Sequence, residues 1–134
     1  KKIYFNAEHQ FVADFIGRSN LIPAKVKQQK DSFTVVQTSL GEFVCKERDY
    51  PLDSDLTLCI RPEFIDLAEE GALDQKNTLS GVMETMVFVG DVYESEIRVG
   101  DVLFMAKVDP ETTLEVGDPV TFSVKPEHCL LVSE

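Results

Sequence analysis

The side chains that could carry out catalysis are few and widely separated. A hydrolase would need a histidine beside a serine and an aspartate, and the only histidines are His9 and His128. His9 falls in a helix-like segment and His128 beside the last strand-like run, so the pattern indicates no triad. No GxxxxGK[ST] loop is present to hold nucleotide phosphates, and no strand ends in an acidic pair for magnesium. We therefore expect no catalytic residue and no nucleotide bound to this chain.

The three cysteines do not follow a metal-binding pattern. Cys45, Cys59 and Cys129 lie far apart and form no CxxC pair. His128 stands next to Cys129, but further ligands at zinc-type spacing are missing. The ordinary role for such cysteines is that of small buried apolar residues. We expect no metal site and no cofactor site.

Two turns of the type basic residue, proline, glutamate carry the charged residues best placed to contact a partner. Arg61 and Glu63 flank one proline, and Lys125 and Glu127 flank another. Each pair fits an ordinary turn, in which the acid accepts backbone N–H groups and the base lies along the surface. The ordinary turn is the favoured interpretation, and a contact with another subunit or domain is the main alternative.

A third candidate contact is a hairpin predicted around Gly90 and Asp91. Glycine at the first central position suits a type II′ turn between two strands. Phe88 lies beside this turn and is predicted either to anchor an interface or to pack in the core. The candidate contact residues of the hairpin are therefore Phe88, Gly90 and Asp91.

These residues are positioned by one helix followed by many short strands. Apolar residues between positions 11 and 16 share one face of a helix that Gly17 would end. From position 21 onward the apolar period changes from 3.6 to 2, which is typical of strands. The chain starts with this helix-like segment and without an initiator methionine, so we expect a piece of a longer protein.

The strand pattern occurs twice along the chain. Segments 20–26, 41–47 and 55–63 parallel segments 77–83, 100–106 and 119–127. Each copy predicts a small antiparallel barrel of the OB type, whose closure would remove exposed sheet edges. Halves this small have small cores, so we expect them to pack together or exchange strands. The predicted fold is all-β: duplicated OB-like small barrels packed as one domain, with a short N-terminal helix over 1–19 and halves over 20–72 and 73–134.

The charge of the chain limits its partners. Asp and Glu number 24 against 13 Lys and Arg, giving a net charge of −11. A phosphate backbone would be repelled, and no tryptophan is present as a stacking platform, so single-stranded nucleic-acid binding is disfavoured. No apolar run reaches the roughly 18 to 20 residues of a membrane helix, so we expect no direct membrane insertion.

Several of these segments resemble one family of transport proteins. Residues 11–20 resemble the segment that joins the nucleotide-binding domain to the regulatory domain in ABC-importer ATPases of the maltose, polyamine and ferric-iron type. Residues 60–63 resemble the arginine-proline-glutamate turn of that family. The positions that resemble its transport-associated OB module are Gly81, Gly90, Asp91, 116–118 and 125–128.

The resemblance implies a non-catalytic regulatory and dimerisation domain of an importer ATP-binding subunit. It implies a second copy of the same subunit as partner, a membrane permease in the parent complex, and a cytoplasmic position at the inner face of the membrane. ATP and magnesium would be bound by the parent protein outside this chain. Because the chain departs from the maltose-type members in length and detail, binding of a regulatory protein is not carried over.

A small-solute sensor of the same transporter type is the alternative. Related molybdate systems bind oxyanions between duplicated halves, which here would need donors such as Ser39, Lys46 and Ser80. The acidic charge opposes an anion and favours a metal cation or a polyamine instead.

Overall fold

Two five-stranded antiparallel sheets contain nearly all the regular structure of the described residues. The computed structural model describes residues 18–30, 32–46, 50–67 and 77–133. The strands are β1 Asn20–Gln29, β2 Phe33–Thr38, β3 Gly41–Lys46, β4 Asp55–Ile60, β5 Asp66–Leu67, β6 Thr78–Phe88, β7 Tyr93–Val99, β8 Val102–Val108, β9 Pro119–Ser123 and β10 Leu130–Val132. Two short 3-10 turns, Pro62–Phe64 and Pro126–His128, precede β5 and β10.

The all-β prediction is confirmed by these strands. The predicted N-terminal helix and the boundary between residues 72 and 73 lie outside the described residues. Pro62 and Pro126 begin the two 3-10 turns, and the residues before them are extended, because proline disfavours helical geometry in the preceding residue.

Alternating burial explains why the strands form where they do. In β1, Ile22, Ala24 and Val26 are buried while the residues between them are exposed. The buried sides of both sheets contribute to one shared hydrophobic cluster. At its centre Phe104 and Phe122 meet edge to face, with ring centroids 5.3 Å apart.

The two sheets exchange their closing strands. The strand orders are β10-β4-β1-β2-β3 and β5-β9-β6-β7-β8. Strand β10, from the second copy, pairs with β4 of the first, and β5, from the first copy, pairs with β9 of the second. Strand β10 also contacts β3, so the first sheet curls toward closure. Neither half can separate without losing a strand, which explains how two small cores act as one.

The duplication extends to irregular details. The pairing of β1 with β2 shifts register between Val26 and Gln28, and that of β6 with β7 shifts between Met83 and Thr85. When Asn20 is aligned with Asn77, the two bulges fall at the same position. The repeat found in the sequence is therefore a structural repeat.

The sequence alignment of Gly41 with Gly100 is wrong by two positions. Gly41 is the first residue of β3 and pairs with Thr38, whereas Gly100 lies in the turn between β7 and β8. The residue that occupies the place of Gly41 is Val102, which pairs with Val99. Gly41 directly follows a two-residue turn, whereas Gly100 is the first residue of the equivalent turn, so matching the two glycines misaligned the copies.

Candidate protein-interaction face

The outward-pointing side chains of β6, β7 and β8 form a continuous face, called here the outer face. The intervening residues on β7 and β8, such as Ile97 and Phe104, are buried, which directs their neighbours outward. Strand pairing arranges the outer face in three rows across the strands: Val82, Arg98 and Leu103; Thr85, Glu96 and Met105; Val87, Glu94 and Lys107.

The outer face concentrates exposed apolar surface. Nine large hydrophobic residues are exposed among the described residues. Four of them lie on the outer face, Val82, Val87, Leu103 and Met105, and two more, Phe88 and Val89, lie at the adjoining hairpin tip. Apolar side chains grouped in this way, with charged neighbours, are typical of a contact surface.

The first copy has charged residues at three of the corresponding positions. Register pairing places Lys25 where the second copy has Val82, and Glu42 where it has Leu103. Lys30 likewise corresponds to Val87, because the residues before them, Gln29 and Met86, pair with Thr34 and Ser95, which occupy equivalent places in β2 and β7.

On the neighbouring strands the exchange is the reverse, since Phe33 and Val35 occupy the places of Glu94 and Glu96. The two outer faces therefore distribute charged and apolar side chains differently.

The β6–β7 hairpin is present and extends further than its counterpart. It continues through a Phe88–Tyr93 pair to a turn in which the Val89 N–H donates to the Val92 carbonyl at 3.0 Å. The first copy closes earlier, where the Lys30 N–H donates to the Phe33 carbonyl at 2.9 Å. The extra residues of the second hairpin protrude from the sheet.

The structure places the predicted hairpin residues at this tip. Gly90 has a φ of +108°, which favours glycine, and Asp91 follows it between the two valines. Phe88 is 54% exposed and meets Tyr93 edge to face, with centroids 5.3 Å apart. Phe88 therefore does not pack in the core, and its role as an interface anchor stays a prediction.

A groove of about 660 Å³ runs along the outer face on the β8 side. The 3-10 turn Pro62–Phe64 packs against β8 and forms part of its wall. Its charged lining residues are Arg18, Arg61, Lys107, Glu63, Glu94 and Glu96. Three positive and three negative side chains balance each other, so the groove does not select strongly for an anion or a polycation.

Arg61 and Glu63 form an ion pair in the groove wall. The Arg61 Nε donates to Glu63 Oε2 at 2.6 Å. Burial opposes ionisation of Glu63, but the hydrogen bond from Arg61, a backbone hydrogen bond, and the charges of Arg61 and Lys107 outweigh it and lower its pKa. On the groove floor, the Thr85 hydroxyl donates to Glu96 at 3.1 Å.

The equivalent pair, Lys125 and Glu127, is not brought into the groove. Both side chains are exposed, and the described residues show no salt bridge between them. Their turn packs against β3, in the same way that the first turn packs against β8. Ser39, Lys46 and Ser80, the donors suggested for an anion site, also lie outside the groove lining.

Two asparagines join the halves and were missed by the sequence analysis. The Asn20 side chain bonds the backbone of Met105 on edge strand β8, accepting from its N–H at 2.6 Å and donating to its carbonyl at 2.9 Å. Asn77 does the same to Val44 on edge strand β3, with both distances 2.8 Å. Each asparagine occupies edge-strand groups that could otherwise pair with another strand. The sequence repeat could have identified these two residues, because an asparagine begins each copy.

Comparison with known proteins assigns the chain to a family. The family profile described as "TOBE domain" matches residues 58–132. The chain belongs to the TOBE domain family. This result confirms the resemblance to the regulatory module of importer ATP-binding subunits that the sequence indicated.

Relatives of this TOBE domain are larger proteins. Spermidine/putrescine import ATP-binding protein PotA of Borrelia garinii subsp. bavariensis is 30% identical over 128 residues, which cover 95% of this chain and 34% of that protein. The protein of the same name in Pseudomonas fluorescens is 31% identical over 136 residues, covering 97% and 37%. The chain thus spans about a third of the length of the curated relatives it matches.

A solved structure shares the fold of this TOBE domain. The cytoplasmic molybdate-binding protein ModG, crystallised with molybdate bound, superimposes with a TM-score of 0.76 over 86% of this chain and 96% of its own. The sequences are 11% identical, so the likeness concerns the fold alone.

The described part of the TOBE domain offers no group of three or more side chains suited to a metal ion. Its three cysteines are buried, and burial raises the pKa of Cys59 to about 11. A hydrogen bond with Cys45, together with burial, raises the pKa of Cys129 far above its ordinary value. The described residues also contain no helix with the length and apolar character needed to span a membrane.

Proposed function

We propose that this TOBE domain is the regulatory and dimerisation domain of an ATP-binding subunit in a prokaryotic ABC importer. The observation that carries the proposal is the match to spermidine/putrescine import ATP-binding proteins along 95% of this chain. The parent protein would bind ATP and magnesium outside this chain. It would act at the cytoplasmic face of the membrane together with a permease.

The geometry supports a domain that works by contacting proteins. Exchanged strands and the Asn20 and Asn77 contacts join the two halves into one structural unit. The combined unit exposes four apolar side chains, Val82, Val87, Leu103 and Met105, on the outer face of the second copy. A single unit with exposed apolar side chains on one face is suited to holding or reorienting subunits.

A segment exchange tests the proposal. The matching third of a spermidine/putrescine import ATP-binding protein is replaced by this chain, and ATP-driven spermidine uptake is measured in vesicles that contain the permease. We expect uptake well above that of the same protein lacking the segment, and no melting-temperature change of the isolated domain with ATP. Uptake no better than with the segment deleted, or ATP hydrolysis by the isolated domain, would overturn the proposal.

Solute sensing is a second candidate function, favoured by the groove on the outer face. Its volume of about 660 Å³ falls within the range of small-molecule sites. The net charge of −11 attracts cations over long range, and the relatives are named for spermidine and putrescine import. A thermal-shift series with spermidine, ferric iron, molybdate and maltose tests it. A dose-dependent shift that Glu94→Gln weakens would support sensing in the groove, and no shift with any solute would remove this candidate.

A further inference from the structure

We propose that Cys45 and Cys129 form a redox-sensitive latch, in which a disulfide between them fixes the closing strand β10 to the edge strand β3. The two residues come from different copies of the repeat, Cys45 from β3 and Cys129 from the position directly before β10. The disulfide would therefore join the copies covalently at the point where the first sheet curls toward closure. The latch does not depend on the function proposed above.

The two thiol groups are in contact in the closed fold. Cys45 and Cys129 share a side-chain hydrogen bond, and both residues are fully buried. Asn77 gives independent evidence that they are near each other. Its Nδ2 donates to the Cys129 Sγ at 3.4 Å, and the same nitrogen donates at 2.8 Å to the carbonyl of Val44, the residue before Cys45. The 3-10 turn Pro126–His128, which ends at Cys129, also packs against β3.

The other copy of the repeat shows that this location does not need sulfur for packing. The two asparagine contacts align Cys45 with Ala106, since each is the residue after the one that the asparagine bonds. The 3-10 turns align Cys129 with Ile65, since each is the residue that follows its turn. Ala106 and Ile65 are buried apolar residues. The facing thiols are therefore a chemical difference between the copies and not a requirement of the fold.

Disulfide formation needs an oxidant and an attacking thiolate, and a low-molecular-weight disulfide such as oxidised glutathione is the oxidant. One cysteine loses its proton to solvent and attacks this disulfide, so a mixed disulfide forms and one glutathione thiolate leaves. The second cysteine, also deprotonated, attacks the protein sulfur of the mixed disulfide. The Cys45–Cys129 bond forms and the second glutathione thiolate leaves. The protein loses two electrons and two protons, and the oxidant becomes two molecules of glutathione.

Burial makes this reaction depend on local opening of the fold. A hydrogen bond with Cys45, together with burial, raises the pKa of Cys129, so the reactive thiolate is scarce in the closed fold. An oxidant reaches the two sulfurs only when β10 and the turn before it separate from β3. Strand β10 is a short edge strand with three residues paired to β4, and such elements open most easily. The disulfide then holds β10 in place after it closes again.

Timed oxidation of this chain tests the latch. The chain is incubated with oxidised glutathione at several concentrations, free thiols are alkylated in denaturant, and mass spectrometry with peptide mapping locates the disulfide. We expect one bond, between Cys45 and Cys129, with Cys59 still reduced. Cys59→Ala is the matched control, since Cys59 is equally buried but pairs with Leu21 and Leu130, and it should leave the rate unchanged.

Variants that carry the residues of the other copy remove the latch without leaving a new kind of side chain. Cys45→Ala, and the double variant that adds Cys129→Ile, should form no intramolecular disulfide while their melting temperatures show that they are folded. The oxidised natural chain should unfold at a higher urea concentration than the reduced chain, because the link restricts the unfolded state. Dithiothreitol should restore the original midpoint.

A pair of leucine variants tests the opening step. Leu131 is a buried residue of β10, so Leu131→Ala loosens this strand and should raise the oxidation rate by roughly tenfold or more. Leu67 occupies the equivalent position in β5, and Leu67→Ala should leave the rate nearly unchanged. Cysteines that stay reduced even in Leu131→Ala, a disulfide that involves Cys59, or equal acceleration by the two leucine variants would overturn the proposal.

Discussion

Phe64 and His128 stack almost parallel, with ring centroids 3.9 Å apart and ring planes 12° apart. Each is the last residue of a 3-10 turn, and the two turns occupy the same place in the two copies of the repeat. Equivalent residues can touch only where the copies meet. The stack therefore joins the halves at the point where each chain segment crosses into the other sheet.

The stack should contribute a measurable coupling between the halves. Phe64→Leu and His128→Leu, alone and together, form a double-mutant cycle in urea unfolding at neutral pH. We expect a coupling of about 1 kcal/mol, because a stacked ring pair adds to stability beyond the area it buries. Strictly additive losses would show that the rings are neighbours without a favourable interaction.

The two asparagines should differ in importance despite making similar bonds. Asn77→Ala removes hydrogen bonds to Val44 and Val124 and places alanine at a φ of +57°. We expect a loss of about 3 kcal/mol in the free energy of unfolding. Asn20→Ala removes comparable bonds without the unfavourable φ, and should cost about 1 kcal/mol less. Equal losses for the two variants would show that the positive φ at position 77 does not add to the cost of Asn77→Ala.

Local patterns were sufficient to predict much of this fold from the sequence. Period-two burial and turn residues predicted the strands, and the Asn20 and Asn77 segments aligned the copies correctly. The exchange of β5 and β10 was not predictable, because a closing strand such as Leu130–Val132 has the same local pattern whichever sheet it joins. Only the connection between distant strands decides that choice.

The candidate site was predicted only in part. The sequence identified the Gly90 hairpin and the Arg61 turn because prolines and glycines mark them. It could not show that Arg61 and Glu63 line the same groove as Glu94, since they come from different copies of the repeat. Nor could it show that Val82 and Leu103 share a face, because that depends on the register of β7 between them.

Gly81 should be intolerant of a side chain. A Cβ built at Gly81 would lie 2.3 Å from the Arg98 carbonyl oxygen, which belongs to the paired strand and cannot move freely. We expect Gly81→Ala to lower the free energy of unfolding by at least about 2 kcal/mol, as overpacking against backbone does. Gly90→Ala isolates the other source of strain, since its Cβ would meet nothing within 4 Å and only its φ is unfavourable. A loss of less than about 1 kcal/mol from Gly81→Ala, measured by urea unfolding, would argue against a close contact at Gly81.

The Arg61–Glu63 pair should make part of the stability depend on pH. The pKa of Glu63 is lowered in the folded state, so the pair stabilises the fold above the ordinary carboxylate pKa of 4.5. That contribution is lost as the pH falls through the folded-state pKa, because the protonated acid no longer attracts the guanidinium. Arg61→Gln should therefore lower the free energy of unfolding at pH 7 by about 0.5 kcal/mol, a small value because both side chains are partly exposed.

Lys125→Gln provides the matched control for the pH dependence. It removes one positive charge from the equivalent turn, where no salt bridge is seen among the described residues, so it reproduces any effect of net charge. Urea unfolding between pH 7 and pH 3 should show the deficit of Arg61→Gln shrinking relative to that of Lys125→Gln. If both deficits follow the same course with pH, the Arg61–Glu63 ion pair makes no pH-dependent contribution to the free energy of unfolding.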